Sequence, residues 1–185
     1  MRNILASLTL LLVASACTAP GSNPSQKRSS IESMATETLQ ELYRRHPEAR
    51  ARVQGSEGYA VFTNKQVSVL FVGGGGGYGV ARDQKHRTTT YMRMGEGTVG
   101  IGLGLKDFRA VFVFDDRELF DEFLVHGWDV GGEADAAAKS GEDGGAASAA
   151  ASVRKGVKVY QFTESGLALR ANIAGTRYWP YDSLN

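Results

Sequence analysis

The segment ARDQKHR gathers Arg82, Lys85, His86 and Arg87 in one short stretch, opposed only by Asp83. Guanidinium and ammonium groups crowded on a turn are the side chains that hold phosphate oxygens. Arg93 follows on the next strand-like segment, and Lys106 and Arg109 bracket a second turn. Arg154, Lys155 and Lys158 precede a late strand. Arg82, Lys85, Arg87, Arg93, Lys106, Arg109, Lys155 and Lys158 are therefore the candidate contacts for an anionic group. Solvated turn charge is the plain alternative for each of them. Arg44, Arg45, Arg50 and Arg52 fall in and just after the first helical segment.

Other chemistry is thinly represented. Asp83 with His86, and His126 with Asp129, could be written as acid–base pairs, but no nucleophile stands beside either in a recognisable motif. Three histidines and one cysteine, widely separated, give no metal-ligand spacing. The expectation is a protein without catalysis, metal or cofactor.

The glycines pose the sharper question. FVGGGGGYGVA carries five glycines in a row and a sixth at Gly79. A phosphate-cradling loop needs its glycines between a strand and a helix, yet Val80, Ala81, Arg82 and Asp83 lead instead to a basic turn and TTTYMRM. Flanking Phe71, Val72, Tyr78 and Val80 want burial, which argues against a linker. In GEGTVGIGLGLK, Gly100, Gly102 and Gly104 alternate with Val99, Ile101, Leu103 and Leu105. Alternation in a strand sends the two sets to opposite faces, one apolar and one bare; Gly73, Gly75, Gly77 and Gly79 can do the same. Glycine costs a strand about 0.5–1 kcal/mol against alanine, so its repetition marks a sharply bent sheet or a close approach to the backbone. Two bodies could make that approach: a helix laid on the glycine face, or an extended ligand such as an acyl chain.

These elements sit behind a leader. MRNILASLTLLLVASAC has a basic start, an apolar run from Ile4 to Ala14 and small residues before Cys17. The run is shorter than the roughly 18 residues a spanning helix needs and reads as a signal peptide over residues 1–16. Val13-Ala14-Ser15-Ala16-Cys17 is similar to a bacterial lipobox, whose cysteine is lipidated; an ordinary secretory signal with a chance cysteine is the alternative. Thr18, by resemblance to Gram-negative lipoproteins, directs such a protein to the outer membrane, facing the periplasm. Residues 17–30 read as the lipidated cysteine and a flexible tether, rich in Pro, Gly, Ser and Asn.

The domain is expected over residues 31–185. Ser29 and Glu32 stand at capping-box spacing, and Ile31, Met34, Ala35, Leu39, Leu42 and Tyr43 recur at helical period until Pro47. YAVFTN, VSVLFV, YGVARD, TTTYMRM, TVGIGLGL and RAVFVF follow as short strands, too close together for helical crossovers. Asp116 can cap a helix whose stripe is Leu119, Phe120, Phe123 and Leu124, stopped by Gly127. Residues 131–152 are small and polar, a loop by composition. VKVYQF and LALRANI close the chain as strands. The fold class is α+β: one strongly curved, barrel-like antiparallel sheet with two or three helices.

Charge adds an exclusion. Without Arg2 of the leader, the 21 Lys and Arg become 20, equal to the 20 Asp and Glu. A neutral chain lacks the basic excess of a nucleic-acid binder.

EGYAVF, VGGGGGYGVA, GEGTVGIGLGL, RAVFVFDDRELFDEF and GVKVYQFTESGLALRANIAGTRYWPY, in that order, resemble the SYLF domain from about Ser30 to the C-terminus. Tyr160, Ser165, Gly166 and Leu167 match its Tyr-x-x-(Ser/Thr)-x-Gly-Leu-like pattern, with Gly175 and Tyr178 downstream. TTTYMRM stands where many relatives have Trp-x-x-Pro. The resemblance implies a compact, non-enzymatic module binding membrane phospholipid, with bacterial envelope lipoproteins among its relatives; the lipid-binding residues are then expected to be Arg82, Lys85, Arg87, Arg93, Lys106, Arg109, Lys155 and Lys158 on the head group, with Arg44, Arg45, Arg50 and Arg52 facing either anionic lipid or water. A structural or protein-partner role in the envelope is the alternative.

Overall fold

The structure, a computed structural model, describes residues 19–69, 72–99, 107–130, 151–163, 166–167 and 176–185. Cys17, Lys106 and the period-two glycines 100, 102 and 104 lie outside them, as do the signal segment and most of 131–152.

The first helix, α1, runs Pro24–Arg45. It begins inside the segment expected as tether. Asn23, not Ser29, is its cap: the Asn23 side chain accepts the Gln26 N–H at 2.9 Å. Pro24 then sits at the first helical position, where its missing N–H costs nothing and its φ is already set. Ile31, Met34, Ala35, Thr38 and Leu42 form the buried face. Pro47 ends α1 and opens a short α2, Pro47–Gly55.

The strands are β1 (Gly58–Val69), β2 (Val72–Asp83), β3 (Thr89–Val99), β4 (Asp107–Phe114), β5 (Trp128–Val130), β6 (Ala151–Arg154), β7 (Val157–Thr163), β8 (Gly166–Leu167) and β9 (Thr176–Pro180). YAVFTN and VSV are one strand, β1, and the glycine run with YGVARD is one strand, β2. GEGTV likewise extends TTTYMRM into β3. Glycine at these positions did not break the ladder, because both neighbouring strands supply every pairing position from Val72 to Arg82. A third helix, α3, spans Arg117–His126; Asp116 caps it, and Gly127 ends it at φ 69°, a backbone suited to glycine. A short 3₁₀ turn, Asp182–Leu184, follows β9.

All described pairings are antiparallel, in the order β5-β9-β3-β2-β1-β4-β7-β6, with β8 also on β7. The sheet curls into a half-barrel within a single α+β domain. Two rings measure the curl. β9 and β4 stand four strand spacings apart, about 19 Å if the sheet were flat, yet the Tyr178 and Phe112 centroids are 5.1 Å apart.

The concave face holds Phe62, Phe112, Phe114, Phe120, Phe123, Met92, Met94 and Tyr178. Each fully buried phenylalanine contributes about 2 kcal/mol. α3 lays Phe120 and Phe123 into this face. The convex face carries Val61, Val80, Val111, Val113 and Tyr160 under α1 and α2.

The alternation of β2 now has a reason. Tyr78 and Val80 belong to the α1 side, whereas Gly77 and Gly79 turn inward. A Cβ on Gly79 would stand 2.3 Å from both the Phe62 ring and the Val61 carbonyl oxygen. At Gly79 the body pressed against the bare backbone is therefore a phenylalanine of the neighbouring strand; a helix does lie over that concave face, and it is α3, while α1 covers the other.

Candidate functional site

The candidate cations separate into three places. Lys85 and Arg87 are exposed at the tip of the β2–β3 hairpin, with His86 between them. Lys155 is exposed in the β6–β7 turn. That turn lies at the same end of the sheet, since Gly58 pairs with both Asp83 and Phe114, and Phe114 with Val157. Lys158 is half-buried one position further along β7.

The hairpin tip is braced from below. Asp83 is buried and accepts the His86 N–H at 2.9 Å, with the His86 ring at 2.8 Å. Arg117 of α3 donates to its two oxygens at 3.0 and 2.7 Å and also pairs with Asp121. Hydrogen bonds from Arg117 first, then those from His86, outweigh burial and hold the Asp83 carboxyl well below the usual carboxylate range. Asp83 is thus the fixed floor of a turn, its oxygens committed to Arg117 and His86. Arg87 has φ 55°, the left-handed region that costs a residue with a Cβ about 1 kcal/mol.

Arg82 belongs elsewhere. It is half-buried and pairs with Glu32 of α1 and with Thr89. Glu32 also accepts from the Tyr91 hydroxyl at 3.0 Å. Arg82 therefore fastens α1 to the sheet.

Arg93 and Arg109 share one row across the convex face. The register sets Trp179 opposite Arg93, Arg93 opposite Tyr78, Tyr78 opposite Thr63, and Thr63 opposite Arg109. The two arginines are thus three strand spacings apart, about 14 Å. Arg93 stacks over Tyr181 at 4.0 Å. Burial pushes the Tyr181 phenol up, but Arg93 and Lys27 outweigh it and lower the phenol below its ordinary value.

Between Arg109 and α1 lies an open groove of about 480 Å³, lined by Ser29, Ser30, Ser33, Met34, Glu37, Thr63, Tyr78 and Arg109. Arg109 reaches Glu37 at 3.7 Å, and both side chains are substantially exposed. Sequence reading missed the helix side of this groove because it placed Ser29 at a cap. With α1 starting at Pro24, Ser29, Ser33 and Glu37 fall at i, i+4 and i+8 along one edge, a spacing that would have shown it.

Among the described residues, no group of three or more His, Cys, Asp or Glu is placed to hold a metal, and no helix is long and apolar enough to cross a membrane. No protein-family profile matches the chain. A protein of Aeromonas veronii described as beta cell expansion factor A is 34% identical over 154 residues, which are 83% of this chain and 57% of that protein. The chain spans somewhat more than half the length of that relative.

Proposed function

We propose that this domain binds phospholipid at the bacterial envelope, without catalysis, and that lipidation of Cys17 holds it at the outer membrane on the periplasmic side. The observation that carries the reading is the hairpin tip. Lys85 and Arg87 are exposed on a turn whose base is tied down by Asp83 and Arg117. A rigid cationic tip loses little freedom when it meets an anionic surface, where each basic residue adds about 1 kcal/mol. The similarity to SYLF domains supports the same reading. So does the groove beside Arg109, whose volume falls in the range of small-ligand sites.

The test is flotation with vesicles of phosphatidylglycerol and phosphatidylcholine, using the chain from residue 18 onward without acyl groups. Binding to the anionic vesicles, lowered by Lys85→Glu with Arg87→Glu, is the expected result. A chain that ignores anionic vesicles at both low and moderate salt overturns the proposal and leaves a protein-partner role in the envelope.

A further inference from the structure

The residues just after Cys17 are built into the domain. Ala19 is 2% exposed and belongs to the buried cluster beneath α1, with Ile31, Tyr181 and Leu184. Gly21 holds φ 136°, and a Cβ there would stand 2.8 Å from the Gln26 Cβ and from the Lys27 nitrogen, so the position demands glycine. The Ser22 N–H and hydroxyl both donate to Gln26 Oε1, at 2.9 and 2.7 Å, and Asn23 caps α1. A composition that reads as a flexible linker is therefore a fixed turn from Ala19 onward. Thr18 alone separates Cys17 from Ala19, and two residues reach about 7 Å at full extension.

This start is fastened at the same corner of the sheet as the hairpin tip. Arg28 Nε donates to the Leu184 carbonyl oxygen at 2.8 Å, and its guanidinium lies over the Tyr91 ring at 5.8 Å. The Asn185 side chain accepts the Tyr91 N–H at 2.7 Å and donates to the Tyr91 carbonyl oxygen at 3.0 Å. Glu32, one turn after Arg28, takes Arg82 and the Tyr91 hydroxyl. Tyr91 stands four positions after Arg87 of the tip, about 13 Å of chain. In the other direction, Asn23 stands five positions before Arg28, about 8 Å along the helix.

We infer that this corner is a docking surface for the bilayer that receives the Cys17 acyl chains: the domain stands on the head groups with the start of α1 and the β2–β3 tip side by side, and not at the end of a tether. The inference rests on the proposed lipidation and deepens that reading by fixing how the domain is held. The anchor makes the contact of Lys85 and Arg87 with the surface intramolecular, at a local concentration that a long flexible tether would dilute.

The experiment uses the full acylated chain in vesicles that carry a nitroxide on the head group, with a fluorophore on Ser25→Cys beside the start of α1 or on Thr88→Cys at the tip. Mass spectrometry first establishes whether Cys17 carries acyl groups. The comparison variant has twelve Gly and Ser residues inserted between Thr18 and Ala19. Expected is quenching of both labels, about twofold stronger than in the insertion variant, whose added segment reaches about 20 Å. Lys85→Glu with Arg87→Glu should relieve quenching at Thr88→Cys and leave it at Ser25→Cys. In the unacylated chain from residue 18, Gly21→Ala should lower the denaturation midpoint. An unmodified Cys17 overturns lipidation and the inference with it. An acylated chain whose Ser25→Cys label is unquenched, or quenched equally with the insertion, overturns the inference and leaves the lipoprotein reading standing. A midpoint untouched by Gly21→Ala returns the segment to a tether and overturns the inference as well.

Discussion

Arg117 and Asp83 meet at two points, Nη1 to Oδ1 at 3.0 Å and Nη2 to Oδ2 at 2.7 Å, and this pair joins α3 to the base of the β2–β3 hairpin. Asp83 is 5% exposed, so removing its partner leaves a buried charge.

Arg117→Ala should cost about 1–3 kcal/mol, the penalty for leaving a buried acceptor short of its donor, measured by urea denaturation at pH 7. The pair also sets an acid limit. The folded Asp83 carboxyl is held below its unfolded value. Its contribution is therefore complete above about pH 5 and is lost as pH falls through the carboxylate range near 4 and below. Asp83→Asn should flatten that acid decline; an unchanged profile would show that other carboxylates govern it.

Gly79→Ala places a methyl group against the Phe62 ring and the Val61 carbonyl oxygen, both at 2.3 Å. One of these is backbone and cannot yield by rotating. The expected loss is about 2–3 kcal/mol, read from a denaturation midpoint. Near-neutral behaviour would contradict the close packing of β1 on β2.

Asn23→Ala should destabilise by about 1 kcal/mol through loss of the α1 cap, while Ser29→Ala should leave stability within about 0.5 kcal/mol. The reverse ranking would restore the later helix start.

Arg87→Gly separates stability from binding. Glycine fits φ 55° without a Cβ penalty, so the folded state should be unchanged or firmer by up to about 1 kcal/mol. Vesicle binding should nevertheless fall, and wild-type binding should weaken as salt shortens the screening length from about 10 Å at 0.1 M to about 3 Å at 1 M. Binding indifferent to both changes would remove the tip from the interface.

On the proposed lipidation, Cys17→Ser should move the protein from the membrane fraction to the soluble periplasmic fraction, because acyl chains buried in a bilayer are what hold a lipidated protein there. Unaltered fractionation would refute lipidation.

The α+β class, the antiparallel succession of strands, the cap at Asp116 and the stop at Gly127 were legible in the residues themselves. They are local matters: apolar periodicity and turn chemistry act over a few positions and need no distant partner. The start of α1 is hidden for a local reason too: Asn23-Pro24 has the composition of a tether, while Ser29 and Glu32 offer a second capping signal inside the helix.

What the residues determine alone is the class of the fold and the supply of cations; the short strands β5 and β9, and the joining of separate apolar stretches into β1, β2 and β3, come from the pairing. Tertiary structure decided which cations are committed. Arg82 meets Glu32 across 50 positions and Arg117 meets Asp83 across 34, so no local pattern could tell these fasteners from the exposed Lys85 and Arg87. Curvature was decided the same way. Alternating glycine announced that something approaches the backbone, but only the closure that brings Phe112 to Tyr178 put Phe62 on the bare inner face and left the groove, with Arg109, on the outer one. A strand's side-chain alternation is intrinsic to its pleat, whereas which of its faces becomes the inside depends on every strand paired beside it.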